Sequence, residues 1–321
     1  MDETLIGLDN GRAIRLAILG MIEGNGHPYS WSAIFNGYDE DAMMRCPYPV
    51  IPAYLGREPK ETLRIPGAAV THLWTDDPDD APKVARAARI PHIVQRPEDV
   101  IGQVDAVLIA TDDGSGHVER CRPFVEAGLP IFVDKPLADN EADLRQFSRW
   151  VTEGASILSS SCMRYAKEFL PFRLSTHEIG EVRFVCAGTP KSWERYGIHA
   201  LEGIYPILGP GFLSARNSGT GGRDIVHLTH ACGADVVIAA IPDMAGAFGA
   251  MELYGTAGKL HASFSDTFYA FKAQLFAFVD YLRTGLLPFP FSETQELMRI
   301  IIAGRRSREE GGRLVMLDEI V

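Results

Sequence analysis

The chain has 321 residues, of which 46% are hydrophobic and 23% charged, and a formal net charge of −11. At about 150 residues per domain this is the length of two domains, each with enough apolar residue to bury a core. The acid excess repels phosphate backbones and anionic lipid, so nucleic acid and membrane surfaces are poor partners.

No apolar run approaches the ~18 residues that span a bilayer. The opening Met1-Asp2-Glu3-Thr4 has no basic stretch before a hydrophobic one, so no signal peptide is expected. The cysteines at 46, 121, 162, 186 and 232 lack C-x-x-C spacing and read as free thiols in a reducing, cytoplasmic compartment.

Arg15 to Gly20 is a short apolar run closed by glycine and predicts a buried parallel strand. Pro28 to Tyr38 predicts a helix with proline in its first turn. Residues 39–67 carry Pro47, Pro49, Pro52, Pro59 and Pro66, which exclude a long helix and suggest a stiff surface insertion or flap. Ala69 to Thr75 predicts the second strand, Pro82 to Arg89 a short helix and Val104 to Ala110 another strand. Gly116 to Ala127 predicts a helix closed by Gly128, and Pro130 to Val133 a strand running into Asp134-Lys135-Pro136. Alternating strands and helices predict an α/β fold with a Rossmann-type, doubly wound parallel sheet over residues 1–137. Residues 138–321 read as a second, α+β domain. Its first helix is Glu141 to Thr152; strand-like runs at 182–188, 224–241 and 246–264 then predict a large, mainly antiparallel sheet. Helices at 270–283 and 294–304 follow.

A strand, a glycine loop and a helix start make an anion site. The loop Gly20-Met21-Ile22-Glu23-Gly24-Asn25-Gly26-His27 departs from G-x-G-x-x-G, because Ile22 stands where the second glycine belongs. His27 either lines this loop or caps the helix. Asp76 or Asp77 closes the second strand and could hold a ribose hydroxyl pair. Two carboxylates there repel a 2′-phosphate and favour NAD over NADP, although an Asp-Asp-Pro turn explains them too. Thr111-Asp112-Asp113 lies at the carboxyl end of a strand, where such sheets bind ligands, or caps the next helix.

The run VDAVLIAT, His117 and EAGLPIFVDKPLA resemble the Gfo/Idh/MocA oxidoreductases, with Asp-Lys-Pro in place of their usual Glu-Lys-Pro. The likeness continues through Arg164-Tyr165, YGIHALEGIYPILG (196–209), ELYGTAGKL (252–260) and residues 278–317, and leaves 39–67 outside. The resemblance implies a nicotinamide cofactor between a Rossmann domain and an open-sheet domain, pairing of sheets in homodimers or homotetramers, and hydride exchange with a sugar or cyclitol carbinol.

On that reading Gly20, Met21, Gly24, Asn25, Gly26, Asp76, Asp77, Thr111, His117, Asp134 and Lys135 are the expected cofactor-facing residues. Lys135 and His199 are the expected proton-handling pair. The family pattern places aspartate four residues before the histidine; here that residue is Arg195, so Glu202 or another group must assist His199. Arg195 could hold a substrate carboxylate, or form a salt bridge to Glu194 or Glu202. Arg164, Tyr165, Trp193 and Glu202 complete the expected substrate-facing set, with Lys191 as a further contact. His227 and His230 point to opposite faces if they lie on a strand, so no metal is expected. Two other functions remain open: a lyase or glycosidase that oxidises its substrate transiently with NAD, and a non-catalytic nucleotide-binding sensor.

Overall fold

The computed structural model describes residues 12–320, so the reading of Met1 to Thr4 lies outside the described residues. Strands β1 (Ile14–Leu19), β2 (Ala68–Trp74), β3 (His92–Ile93), β4 (Ala106–Ile109), β5 (Ile131–Val133) and β6 (Ile157–Ser159) form one parallel sheet in the order β3-β2-β1-β4-β5-β6. Their apolar runs follow from burial on both faces. Leu16 and Ile18 of β1 pack to one side, with Trp31, Ile34 and Val84; Ala17 and Leu19 pack to the other, with Cys121, Phe124 and Phe147. The strand order reverses between β2 and β4 on either side of β1, which opens a crevice at the carboxyl ends of these strands. The sheet runs past residue 137, to β6.

The second sheet holds β7 (Val182–Thr189), β8 (Phe212–Asn217), β9 (Asp224–His230), β10 (Asp235–Ala240), β11 (Ala250–Gly255), β12 (Lys259–Ser263) and β13 (Val315–Met316). Its order is β12-β11-β7-β10-β9-β8-β13, and only β7 and β10 run parallel. Alternate residues such as Val226, Leu228, Val236 and Ile238 share a core with helices Ile198–Leu208 and Phe291–Glu309. Helix Thr267–Thr284 instead returns to the first domain, where Leu275, Phe278 and Leu282 pack with Leu16 and Ile18. It starts earlier than its apolar pattern suggests because the Asp266 side chain accepts the Tyr269 N–H and caps it. The last helix outruns its apolar pattern because exposed Arg305 and Glu309 pair one turn apart.

Residues 39–67 contain helices Glu40–Met43 and Val50–Leu55 and a short 3₁₀ turn, Lys60–Thr62. The expected surface flap is instead a packed wall. Met43, Leu55 and Ile65 are buried in the first domain's core, and the Tyr54 hydroxyl bonds to Ser30. Among the described residues, no helix is long and apolar enough to cross a membrane.

Candidate functional site

The loop after β1 begins at Gly20, whose φ of +92° favours glycine. A Cβ there would sit 2.7 Å from the Thr111 methyl, so the loop crosses hard against the end of β4. The Asn25 N–H donates to the Ile22 carbonyl at 3.1 Å and closes a turn in which Gly24, at φ +80°, supplies the left-handed residue. This explains how Ile22 is tolerated: the positive φ has moved two places along. The N–H groups of Ile22, Glu23, Gly24 and Gly26 have no acceptor among the described residues. Helix His27–Asn36 starts there with no side-chain cap and no acid in its first turn. Free donors and an uncapped helix start fit a pyrophosphate. Tyr48 and Ile51 of the inserted wall lie over Gly26, where a Cβ would meet them at 2.6 and 2.7 Å.

Beside the loop, Asp76 accepts the Met21 N–H at 2.9 Å and pairs with Arg120 at 2.6 Å. Arg120 also borders an apolar cavity of about 220 Å³ lined by Leu19, Trp74, Pro97, Ile109 and Phe124, suited to a heteroaromatic base. Asp77 turns away and accepts the Asp79 N–H, so only one of the two carboxylates faces the loop. Thr111 and His117 are buried: the histidine ring bridges the Thr111 and Leu137 carbonyls at 2.8 and 3.2 Å. These two shape the loop ends from inside rather than facing the crevice.

Asp134 is buried and joins three partners. It accepts from the Lys135 N–H at 2.8 Å, His27 Nδ1 at 2.7 Å and Asn25 Nδ2 at 3.2 Å. It ties the glycine loop to the end of β5. The Lys135–Pro136 peptide is cis. Lys135 Nζ stands 3.7 Å from Asp112 and 5.0 Å from the centre of the Tyr196 ring. The other Asp112 oxygen accepts from Arg195 at 2.6 Å. Burial pushes Asp112 up, but Lys135 and Arg195 outweigh it and hold the carboxyl below its usual range. Asp113 is the capping residue of this pair, accepting the Ser115 N–H. Neither glutamate proposed for Arg195 is its partner: Glu194 pairs with Arg308, and Glu202 with Arg164.

His199 enters from helix Ile198–Leu208, with Nδ1 2.7 Å from Ser161 Oγ. Its ring meets Tyr196 and Phe248 edge to face, at 4.8 and 5.1 Å. Burial, then the charges of Lys135, His27 and Lys191, depress its pKa well below 6.5, so the imidazole is neutral. Glu202 does not touch it; it accepts the Ser161 N–H at 3.2 Å and so acts one residue removed. Ser161 was missed by the sequence reading, and its only signal is the Ser159-Ser160-Ser161 run leaving β6 at the ligand-binding edge.

Four residues expected around a substrate lie elsewhere. Trp193 is fully buried between Gly197 and Gly304 and donates to the Ile301 carbonyl at 2.9 Å. Arg164 is buried against Glu202, Glu293 and the Phe289 ring. Glu202 is buried with it, and Tyr165 is half-buried outside the cavity wall. Arg164 and Glu202 serve a core ion-pair network instead. His227 bonds to Asp235, and His230 to Cys232 and the Gly209 carbonyl. No cluster of three or more potential metal ligands occurs among the described residues.

A cavity of about 440 Å³ joins these parts. Gly24 to His27, Asp112, Lys135, Tyr196 and His199 form its polar side. Tyr48, Tyr54, Phe248, Phe264 and Phe271 form an aromatic side, two of them from the 39–67 segment.

The model of the Gfo/Idh/MocA oxidoreductase family, an NAD-binding Rossmann fold, matches residues 50–160. Scyllo-inositol dehydrogenase from Lactobacillus casei, solved with NAD(H) and scyllo-inositol, is similar with a TM-score of 0.74, 12% identity, and coverage of 96% of this chain and 100% of that one. Myo-inositol 2-dehydrogenase from Lactobacillus plantarum gives 0.75 at 14% identity, covering 95% and 99%. Myo-inositol dehydrogenase from L. casei, solved with NAD(H) and myo-inositol, gives 0.72 at 15%, covering 95% and 96%. No curated protein sequence matches the chain. The crevice therefore lies in a Rossmann-type domain, part of which is similar to an NAD-binding oxidoreductase family. Residues 50–160 match the Gfo/Idh/MocA family model, and the whole chain has the fold of the inositol dehydrogenases.

Proposed function

We propose that the protein is an NAD-dependent dehydrogenase that oxidises a carbinol of a sugar, cyclitol or sugar acid, or reduces the matching ketone. The observation that carries this reading is the meeting of Lys135, Tyr196 and His199 in one cavity, beside a loop with four free N–H groups. NAD, when bound, takes up or returns the carbinol hydride. Lys135, held by Asp112, donates a hydrogen bond to the substrate oxygen and stabilises its negative charge. With Nδ1–H donating to Ser161 Oγ, His199 keeps Nε2 free to accept the hydroxyl proton. Asp76 offers its carboxylate to the ribose hydroxyls, which favours NAD. The inositol dehydrogenases of the same fold were solved with NAD(H) and a cyclitol, which supports a polyhydroxylated ring as substrate.

One observation favours the sensor reading: Arg195 stands where the family has aspartate, and its partner is Asp112 rather than His199. A screen of polyols, aldoses and sugar acids with NAD and NADP, following reduced nicotinamide, decides between them. The dehydrogenase gives turnover that falls about 100-fold or more in Lys135→Ala and His199→Ala. Turnover unchanged in those variants contradicts the assignment. Product formation without net reduced nicotinamide identifies the transient-oxidation reading.

A further inference from the structure

We infer that the substrate carries a carboxylate, which the Lys191 ammonium holds beside Tyr196 and His199. The inference rests on the dehydrogenase reading and names its substrate class. Three cations gather at or behind the Tyr196 edge of the cavity, and Asp112 is the acid that faces them from its lining. Lys135, Lys191 and Arg195 bring three cations. Asp112 is divided between Lys135 and Arg195, and Asp134 is enclosed by His27, Asn25 and its own chain. Among the described residues Lys191 forms no ion pair within 4 Å, though Asp112 acts on it from farther off, and its ammonium lies 4.2 Å from the centre of the Tyr196 ring. It is half-buried, and burial lowers its pKa, with Arg195 adding to that effect and Asp112 opposing it.

The backbone at Lys191 is also unusual. Its φ is +61°, a left-handed conformation disfavoured for a residue with a side chain. Lys191 lies two residues past the end of β7, after Pro190, and its N–H reaches the Pro242 carbonyl at 3.5 Å. A lysine kept in that conformation against Tyr196, which lines the cavity, is better explained by what its ammonium meets than by local propensity.

His199 supplies the second line of argument. The charged groups acting on it are Lys135, His27 and Lys191, all cationic or able to become so. When its imidazole accepts the hydroxyl proton, a further positive charge appears among them. The aspartate that the family pattern places four residues earlier would offset that charge, and here the position is Arg195. A carboxylate on the substrate, bound at Lys191, supplies the missing negative charge. The aromatic side of the cavity then faces the C–H surface of the ring. The substrate class is a carboxylated, polyhydroxylated ring, such as a hexuronate or a cyclitol acid.

The test pairs D-glucuronate with D-glucose, D-galacturonate with D-galactose and quinate with myo-inositol. It uses the full chain with NAD and reads binding from heat unfolding and turnover from reduced nicotinamide. At least one carboxylate should bind about tenfold or more tightly than its neutral partner, the scale of one charge-assisted hydrogen bond. Lys191→Gln should reduce that acid-to-neutral ratio about tenfold and Lys191→Arg should restore it. An unchanged shift in unfolding temperature with NAD in both variants shows that they are folded. Preference for the neutral partners, no binding of any carboxylate, or an unchanged ratio in Lys191→Gln overturns the inference and leaves the dehydrogenase reading standing. Failure of NAD to stabilise the unmodified protein removes that reading, and the inference with it.

Discussion

Asp112 has two carboxylate oxygens and gives one to each of two cations, Lys135 and Arg195. Placing the family's aspartate at that position does not repair the site. Arg195→Asp sets a second carboxylate beside Asp112, so kcat/KM should fall about tenfold or more; a rise would show that Arg195 plays no part in holding Asp112. Arg164→Ala strands the Glu202 carboxylate in the core, and urea unfolding should show a loss of about 3–5 kcal/mol. A loss near zero would mean that Glu202 is protonated or reached by water, for burial already pushes its pKa up against the pull of Arg164. Lys135 and His199 were legible in the sequence because each sits in a local motif. Arg164, Trp193 and Glu202 were misassigned because a polar residue in a motif looks the same whether it faces a ligand or a buried partner. The Arg195–Asp112 pair spans 83 positions and could not be read from spacing.

The glycine loop behaves as a unit with the end of β4. Gly20→Ala combines a φ of +92° with a 2.7 Å approach to Thr111, and should cost about 1–3 kcal/mol together with much of the affinity for NAD. Gly24→Ala also has a positive φ, but nothing lies within 4 Å of its Cβ, so the smaller loss is expected there. Comparing the two by heat unfolding separates steric from conformational cost; equal losses would refute the close packing of loop and β4. The strands of the first sheet were legible because their apolar runs are bounded by glycine, proline and acid. β3 and β6 were missed: strands of two and three residues carry little pattern, and they lack the Pro130 and Asp134 that bound β5. The prolines of 39–67 correctly excluded a long helix, but they do not say where two short helices dock. That depends on Met43, Ile51 and Leu55 finding the core.

Across the molecule, two fully buried histidines set an acid limit. Burial lowers the pKa of His117 despite its carbonyl partners, and lowers that of His199 further with nearby cations. Both are neutral in folded and unfolded chains above pH ~6.5, where their full contribution is present. As pH falls below that value the unfolded chain takes up protons that the folded one does not. Stability should therefore drop by up to ~1.4 kcal/mol per pH unit for each histidine. Heat unfolding between pH 7 and 5 checks this, and His199→Gln should flatten the slope; an unchanged slope would show that His199 is protonated or solvated. Leu213 on β8, Met316 on β13 and Leu314 just before it are exposed, as expected of a sheet edge that meets a second copy. Light scattering should then report a multiple of 35.3 kDa, and a monomer would contradict that pairing. Everything functional depends on the crevice accepting the dinucleotide. Calorimetric titration with NAD is the most direct measurement: one site per chain is predicted, with binding weakened in Gly20→Ala and retained in Lys135→Ala. Absence of heat or saturation with NAD, NADH, NADP and NADPH alike would contradict the account.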